Sequence, residues 1–284
     1  MLIDTHAHLD FPDFQDDLPS IIARAREAGV TRIITIGTSV ESSRRAVALA
    51  EQHEEVYAVV GVHPNAASEA EPEFIEELRV LAKSPRVVAI GECGLDYYRL
   101  PSTRSEGASG ALSPALGNEE PGEISAAIED GAEKATQAAV FQQQLDLAAE
   151  LGLNVVLHER EAWDDTLEIL QSYTGRLRGV FHCFGKTPAH VEAALALGHL
   201  VSFTGIVTFK NAQSVHDSAA AVPSDRYMVE TDCPYLAPAP DRGKRCEPAH
   251  TRIVAERIAT LRGVPLEEVA TATTATAEQF FRFR

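Results

Sequence analysis

Cysteine is scarce in this 284-residue chain: the four present, Cys93, Cys183, Cys233 and Cys246, show no C-x-x-C spacing. That pattern excludes a disulfide framework and predicts a protein of the reducing cytoplasm. No run approaches the ~18 consecutive apolar residues of a membrane span. The start also lacks a basic stretch leading into an apolar one, so neither membrane association nor a signal peptide is expected. Cations are few: 25 Lys and Arg face 42 Asp and Glu, a formal net charge of −17. So acidic a body argues against a broad basic face holding duplex phosphates. If the substrate is nucleic acid, cations must bring it in, or a chain end must enter a small site. Also missing is a glycine-rich phosphate loop after the first apolar run, which weighs against a doubly wound nucleotide-binding sheet.

What is present is a regular alternation. Short β-rich runs occur at Leu2–Asp4, Arg32–Ile36, Val56–Val60, Val87–Ile90, Asn154–Leu157, Gly179–Phe181, Leu200–Phe203 and Tyr227–Val229, with helical patterns between them. In "QAAVFQQQLDLAAELG", Val140, Phe141, Leu145, Ala148 and Leu151 follow the spacing of one buried helical face, and Gly152 stands where a C-terminal cap belongs. Gly29 and Gly198 punctuate other helices in the same way. Eight apolar strands alternating with helices predict an α/β fold of the (β/α)8 TIM-type barrel class, a single domain over 1–284. Residues 101–135, rich in Gly, Ser, Pro, Ala and Glu, read as a flexible surface insertion after the fourth strand, with a short helix near its end.

The residues leaving the strands are not ordinary. "IDTHAHLD" yields His6 and His8, two apart and therefore on one face of a strand. "VVGVHP" yields His63, "VVAIGECGLD" Glu92, "VVLHER" His158, "GVFHCF" His182 and "VETDCP" Asp232. Barrel enzymes work at this C-terminal rim. Imidazoles with carboxylates suit divalent cations such as Zn2+ or Mn2+, and with water also Mg2+. Six ligands (His6, His8, Glu92, His158, His182, Asp232) exceed what one catalytic ion needs, but suit two ions sharing a carboxylate. Glu92, on the middle strand, is the expected bridge. Cys93, Cys183 and Cys233 adjoin ligands, yet neighbours on an extended chain face opposite ways, so they read as packing residues.

These motifs, with "GECGLDYYR", "LHERE", "ETDCPYL" and the closing "TATTATAEQFF", resemble the TatD-type metal-dependent deoxyribonucleases, a branch of the amidohydrolase-like barrels. The resemblance implies hydrolysis of phosphodiesters, trimming DNA from 3′ ends. It also implies that His6, His8, Glu92 and Asp232 hold one metal, and Glu92, His158 and His182 the other. Two departures stand near expected substrate contacts: Glu161 replaces an aspartate in "HEREA", and Cys246 replaces an asparagine in "RCEP".

Hydrolysis needs a nucleophilic water and a sink for phosphoryl charge, both of which paired cations supply. Asp232 is the expected proton acceptor, with Glu92 as its competitor. His63 is a hydrogen-bond donor to phosphate or a turn histidine fixed by Pro64. Arg160, Lys244 and Arg245 are candidate phosphate contacts, and Tyr97, Tyr98 and Tyr235 candidate stacking platforms. The expected substrate is a single-stranded or frayed DNA end, handled by a monomer with no obligate protein partner. The competing reading keeps the metals and changes the bond: an amide or ester hydrolase, such as an aminoacyl-tRNA deacylase.

Overall fold

The computed structural model describes residues 1–106 and 121–283. Eight parallel strands run in sequential order: β1 Leu2–Ala7, β2 Val30–Ile36, β3 Val56–Val60, β4 Val87–Asp96, β5 Asn154–Arg160, β6 Gly179–Phe181, β7 Leu200–Phe203 and β8 Tyr227–Val229. A parallel bridge from Ala7 to Cys233 leads from the end of β8 back to β1. It is reinforced where Asp232 N donates to His6 O and His8 N to Cys233 O, both at 2.8 Å. The result is the expected (β/α)8 TIM-type barrel.

The strands are hydrophobic on both faces, as a parallel sheet covered by helices requires. Ile33, Val56, Ala58 and Val60 pack outward with the helices. Ile3, Ile34, Ile36, Val59, Val88, Val156, Val180, Leu200 and Met228 fill the interior. That interior is stopped at its N-terminal end by Phe280 and Phe281 of the last helix, Leu266–Phe281, with Phe283 packed beside them. Gly29, Gly152 and Gly198 have φ of +88°, +66° and +87°, the left-handed conformation of helix-ending glycines.

Strands β1, β4 and β5 run past the apolar residues that announce them. Backbone pairing continues through the polar rim, with Cys93 opposite Leu157, Gly94 opposite His158 and Asp96 opposite Arg160. The segment expected as an insertion, 101–135, lies partly outside the described residues. Of its described parts, Pro101–Glu106 is helical, and residues 121–135 belong to one helix, Pro121–Leu151. Alanine and glutamate, abundant in this stretch where large apolar residues are few, are also good helix formers.

Candidate active site

His6 lies next to the last residue of β1, Glu92 within β4, His158 within β5, and His182 and Asp232 just beyond β6 and β8. Strand polarity therefore brings them, with His8, to one end of the barrel. The two carboxylate oxygens of Glu92 face different partners. Oε2 lies 3.3 Å from His6 Nε2 and 3.9 Å from His8 Nε2, while Asp232 Oδ1 is 3.3 Å from His8 Nε2 and 3.7 Å from His6 Nε2. Oε1 lies 2.8 Å from His158 Nδ1 and 2.7 Å from His182 Nε2. Close approach of the two backbones helps here: a Cβ on Gly94 would collide with the His158 carbonyl.

Three sets of possible ligand atoms each fall within 4.8 Å of one another: His6–His8–Asp232, His6–Glu92–His182 and His63–Glu92–His158. His63, expected as a substrate contact, thus stands against the ligand cluster itself, 3.5 Å from Glu92 Oε1. Its Nδ1 accepts from Asn65 N at 3.0 Å, so the ring proton sits on Nε2 and faces inward. His8 is oriented the other way: its Nδ1 donates to Ile36 O at 3.2 Å, leaving the Nε2 lone pair for the cluster.

Both ring nitrogens of His6 and Nδ1 of His182 are buried without hydrogen-bond partners. Buried polar atoms are seldom left so, and imidazole nitrogens beside carboxylate oxygens are the donor set of borderline divalent cations. The residues present therefore fit a metal. Electrostatics agree. Burial works to raise the Glu92 pKa, yet the imidazoles of His182, His6 and His63 hold it well below the usual carboxylate value. Burial and the neighbouring His158 push His63 down to about 3, so it is neutral at pH 7.

The cysteines stay out of the cluster. Cys93 Sγ points to Val156 O at 3.8 Å, Cys183 Sγ to Thr204 Oγ1 at 3.6 Å, and burial pushes the Cys183 thiol up to about 12. Cys233 and Cys246 are buried, the latter 3.4 Å from His250 Nδ1.

Two adjoining clefts, of about 410 and 610 Å³, open over the cluster and share Arg99, His158, Arg160, His182, Asp232 and Tyr235. Arg160 lies over the Tyr98 ring at 3.5 Å, and Glu161 lines the larger cleft. Lys244 and Arg245 line neither. Lys244 pairs with Asp241 at 2.6 Å, and Arg245 is held by Asp17 at 2.7 Å and Glu247 at 3.0 Å. Among the tyrosines, Tyr235 borders both clefts beside His8 and Phe11, whereas the Tyr97 hydroxyl is tied to Asp165 at 2.7 Å.

Three further residues escape the sequence reading. Asp96 Oδ2 stands 3.2 Å from His158 Nε2. Glu230 Oε1 stands 3.7 Å from His182 Nδ1, its carboxylate fixed by Ser202 Oγ and Cys183 N, each at 2.6 Å. The Phe11 ring stacks on His8 at 4.7 Å. Two-residue alternation offered a signal for the carboxylates, since Asp96 follows Glu92, and Glu230 precedes Asp232, in phase.

A model of the TatD-related DNase family matches residues 3–282. The hydrolase YabD of Bacillus subtilis (strain 168), described as an uncharacterized metal-dependent hydrolase, is 35% identical over 283 residues, 99% of each chain. A protein of Erwinia tasmaniensis named 3′-5′ ssDNA/RNA exonuclease TatD is 35% identical over 287 residues, again 99% of each. The crystal structure of YjjV, a TatD homolog from Escherichia coli K12, superposes with a TM-score of 0.83 at 29% identity, covering 100% of this chain and 98% of that one. Matched nearly end to end, with histidines and carboxylates gathered at the barrel's rim, the chain belongs to the TatD-related DNase family and is a metal-dependent hydrolase.

Proposed function

We propose that this hydrolase is a 3′-to-5′ exonuclease of single-stranded or frayed DNA ends, working with two divalent ions (Mg2+, Mn2+ or Zn2+) in the cytoplasm. One observation carries the binuclear reading: the oxygens of Glu92 face two separate groups, His6–His8–Asp232 and His158–His182. His6, His8, Asp232 and Glu92 would hold one ion, and Glu92, His158 and His182 the other. Bound there, the cations would lower the pKa of an attacking water and neutralise charge on the phosphoryl oxygens.

The chain's own residues supply the rest. Asp232, partly open to the cleft with a side chain 14% exposed, accepts the proton of the attacking water at its carboxylate. His63 donates from Nε2–H to a phosphate oxygen. Arg160, at the mouth of both clefts, meets the next phosphate with a guanidinium fork matched to two of its oxygens. Tyr235 is 55% exposed beside Phe11 and offers a face to an unstacked terminal base. Lys244 and Arg245 take no part, since both charges are already met by carboxylates.

A chain end rather than an interior bond is favoured by depth: His6, His8 and Glu92 are no more than 4% exposed. The name of the Erwinia relative supports the same polarity of digestion. The deciding experiment is a metal screen of hydrolysis on single-stranded DNA, a duplex with a 3′ overhang, and aminoacyl-tRNA. Release of mononucleotides from DNA 3′ ends is the expected result. Turnover confined to aminoacyl-tRNA would replace this reading with the carbonyl-ester hydrolase.

A further inference from the structure

At the opposite end of the barrel lies a cluster of positive charge. Arg178 immediately precedes β6 and Arg226 immediately precedes β8, so both stand at the strands' N-terminal ends. With Arg176 and Arg282 they border one cavity of about 550 Å³, to which Gly152 and Gly198 contribute backbone. Four guanidiniums around one cavity is an odd arrangement for a chain with a net charge of −17.

Elsewhere, Arg86 and Arg262 each spend donors on several backbone carbonyls. Several other arginines find carboxylates: Arg24 with Glu247, Arg26 with Glu55, Arg32 with Glu278, Arg44 with Glu77, Arg79 with Glu150. Here, among the described residues, only Arg226 does, with Asp225 at 2.8 Å. Arg178 spends Nε on Gly198 O at 3.3 Å, and Arg282 spends Nη1 on Gly152 O at 3.4 Å. The Arg176 guanidinium rests over the Tyr173 ring at 5.0 Å. Both acceptors are carbonyls of the glycines that follow helices. These bonds leave most of the N–H donors without a partner among the described residues. Burial and the like charges of Arg226 and Arg282 also hold the Arg178 guanidinium below its usual pKa, so the cluster repels itself.

We propose that this cavity is a second ligand site, which binds a small anion carrying two or more phosphate groups. Guanidinium forks match phosphate oxygens in pairs, and several of them around one space call for a multiply charged partner. The volume lies within the roughly 300–1,000 Å³ range of small-molecule pockets. The cations cluster around a cavity instead of following a groove, which favours a compact anion over a nucleic-acid strand.

Isothermal titration of metal-loaded protein with inorganic pyrophosphate tests the assignment, using the unmodified chain, Arg226→Glu and Arg176→Gln. Both substitutions fall at exposed positions outside the metal site. The expected result is a saturable site weakened by about tenfold or more in each variant, as loss of a charge-assisted contact implies. Metal content and DNA hydrolysis should stay unchanged. Adenosine diphosphate binding more tightly than pyrophosphate, and losing affinity in the same variants, would support a nucleotide as occupant. Equal affinities with the same losses would support the phosphates alone. Undiminished pyrophosphate binding in both variants would overturn the proposal. So would a single-stranded oligonucleotide whose binding falls in the variants while pyrophosphate fails to bind.

Discussion

Glu92 sits where one side chain faces five imidazoles: His6 and His8 from one oxygen, His158, His182 and His63 from the other. Replacing it by Gln keeps the size and removes the shared negative charge. On the proposed bridging role, metal content measured by mass spectrometry should fall from two ions per chain to one or none. Hydrolysis should fall by roughly two orders of magnitude or more, because on that proposal the paired cations would carry the charge stabilisation. Two bound metals with full activity would show that Glu92 is not the bridge. Asp96 tests a subtler part of the same site. Its carboxylate orients His158 through Nε2, so Asp96→Asn should weaken metal affinity by about 10–100-fold, the usual cost of losing a partner behind a ligating histidine. Competition with a chelator reads this directly, and an unchanged affinity would assign Asp96 to the cleft surface alone.

At the scale of elements, the barrel keeps stability and chemistry at opposite ends. The last helix inserts Phe280 and Phe281 beneath the interior layer, and Asn154 Nδ2 donates to Phe280 O at 2.6 Å at the start of β5. Phe280 is 1% exposed. Phe280→Ala should therefore cost about 3–5 kcal/mol, the loss typical of emptying a buried aromatic position. Urea denaturation measures it, and metal stoichiometry at the far rim should be retained in the folded protein. The rim depends instead on how β4 and β5 approach. There Gly94 has φ +150° and no room for a Cβ against the His158 carbonyl.

For the whole molecule, charge bears on how the proposed DNA substrate would be held. A body of net charge −17 argues against holding a long duplex by counterion release. The proposed footprint of one or two phosphates predicts a shallow salt dependence of single-strand binding, with a log–log slope of about −1. A slope several times steeper would reveal a longer basic track. Closed circular single-stranded DNA should resist degradation while its linearised form is consumed. Rapid cutting of the circle would mean internal cleavage and end the chain-end reading.

The strands and the rim residues were legible from sequence because both are encoded locally. Apolar runs mark β2, β3, β6, β7 and β8 to within two residues, and the polar residues at the ends of β1, β4, β5, β6 and β8 name the candidate ligands. The extensions of β1, β4 and β5 were not legible, since only a partner strand keeps a polar stretch extended. Nor was the fate of Arg245, which looks like a free cation in "DRGKRCEP". Arg245 is neutralised by Asp17, 228 positions away, and no local pattern carries that information. Sequence by itself determined the alternation of strands and helices, the acidic balance and the kinds of atoms available to a metal. Tertiary structure alone decided that the two oxygens of Glu92 face different histidines, and that four arginines meet beneath the barrel. Side-chain type and two-residue period are properties of a short segment. Convergence of side chains from β1, β4, β5, β6 and β8 exists only once the sheet curls back on itself.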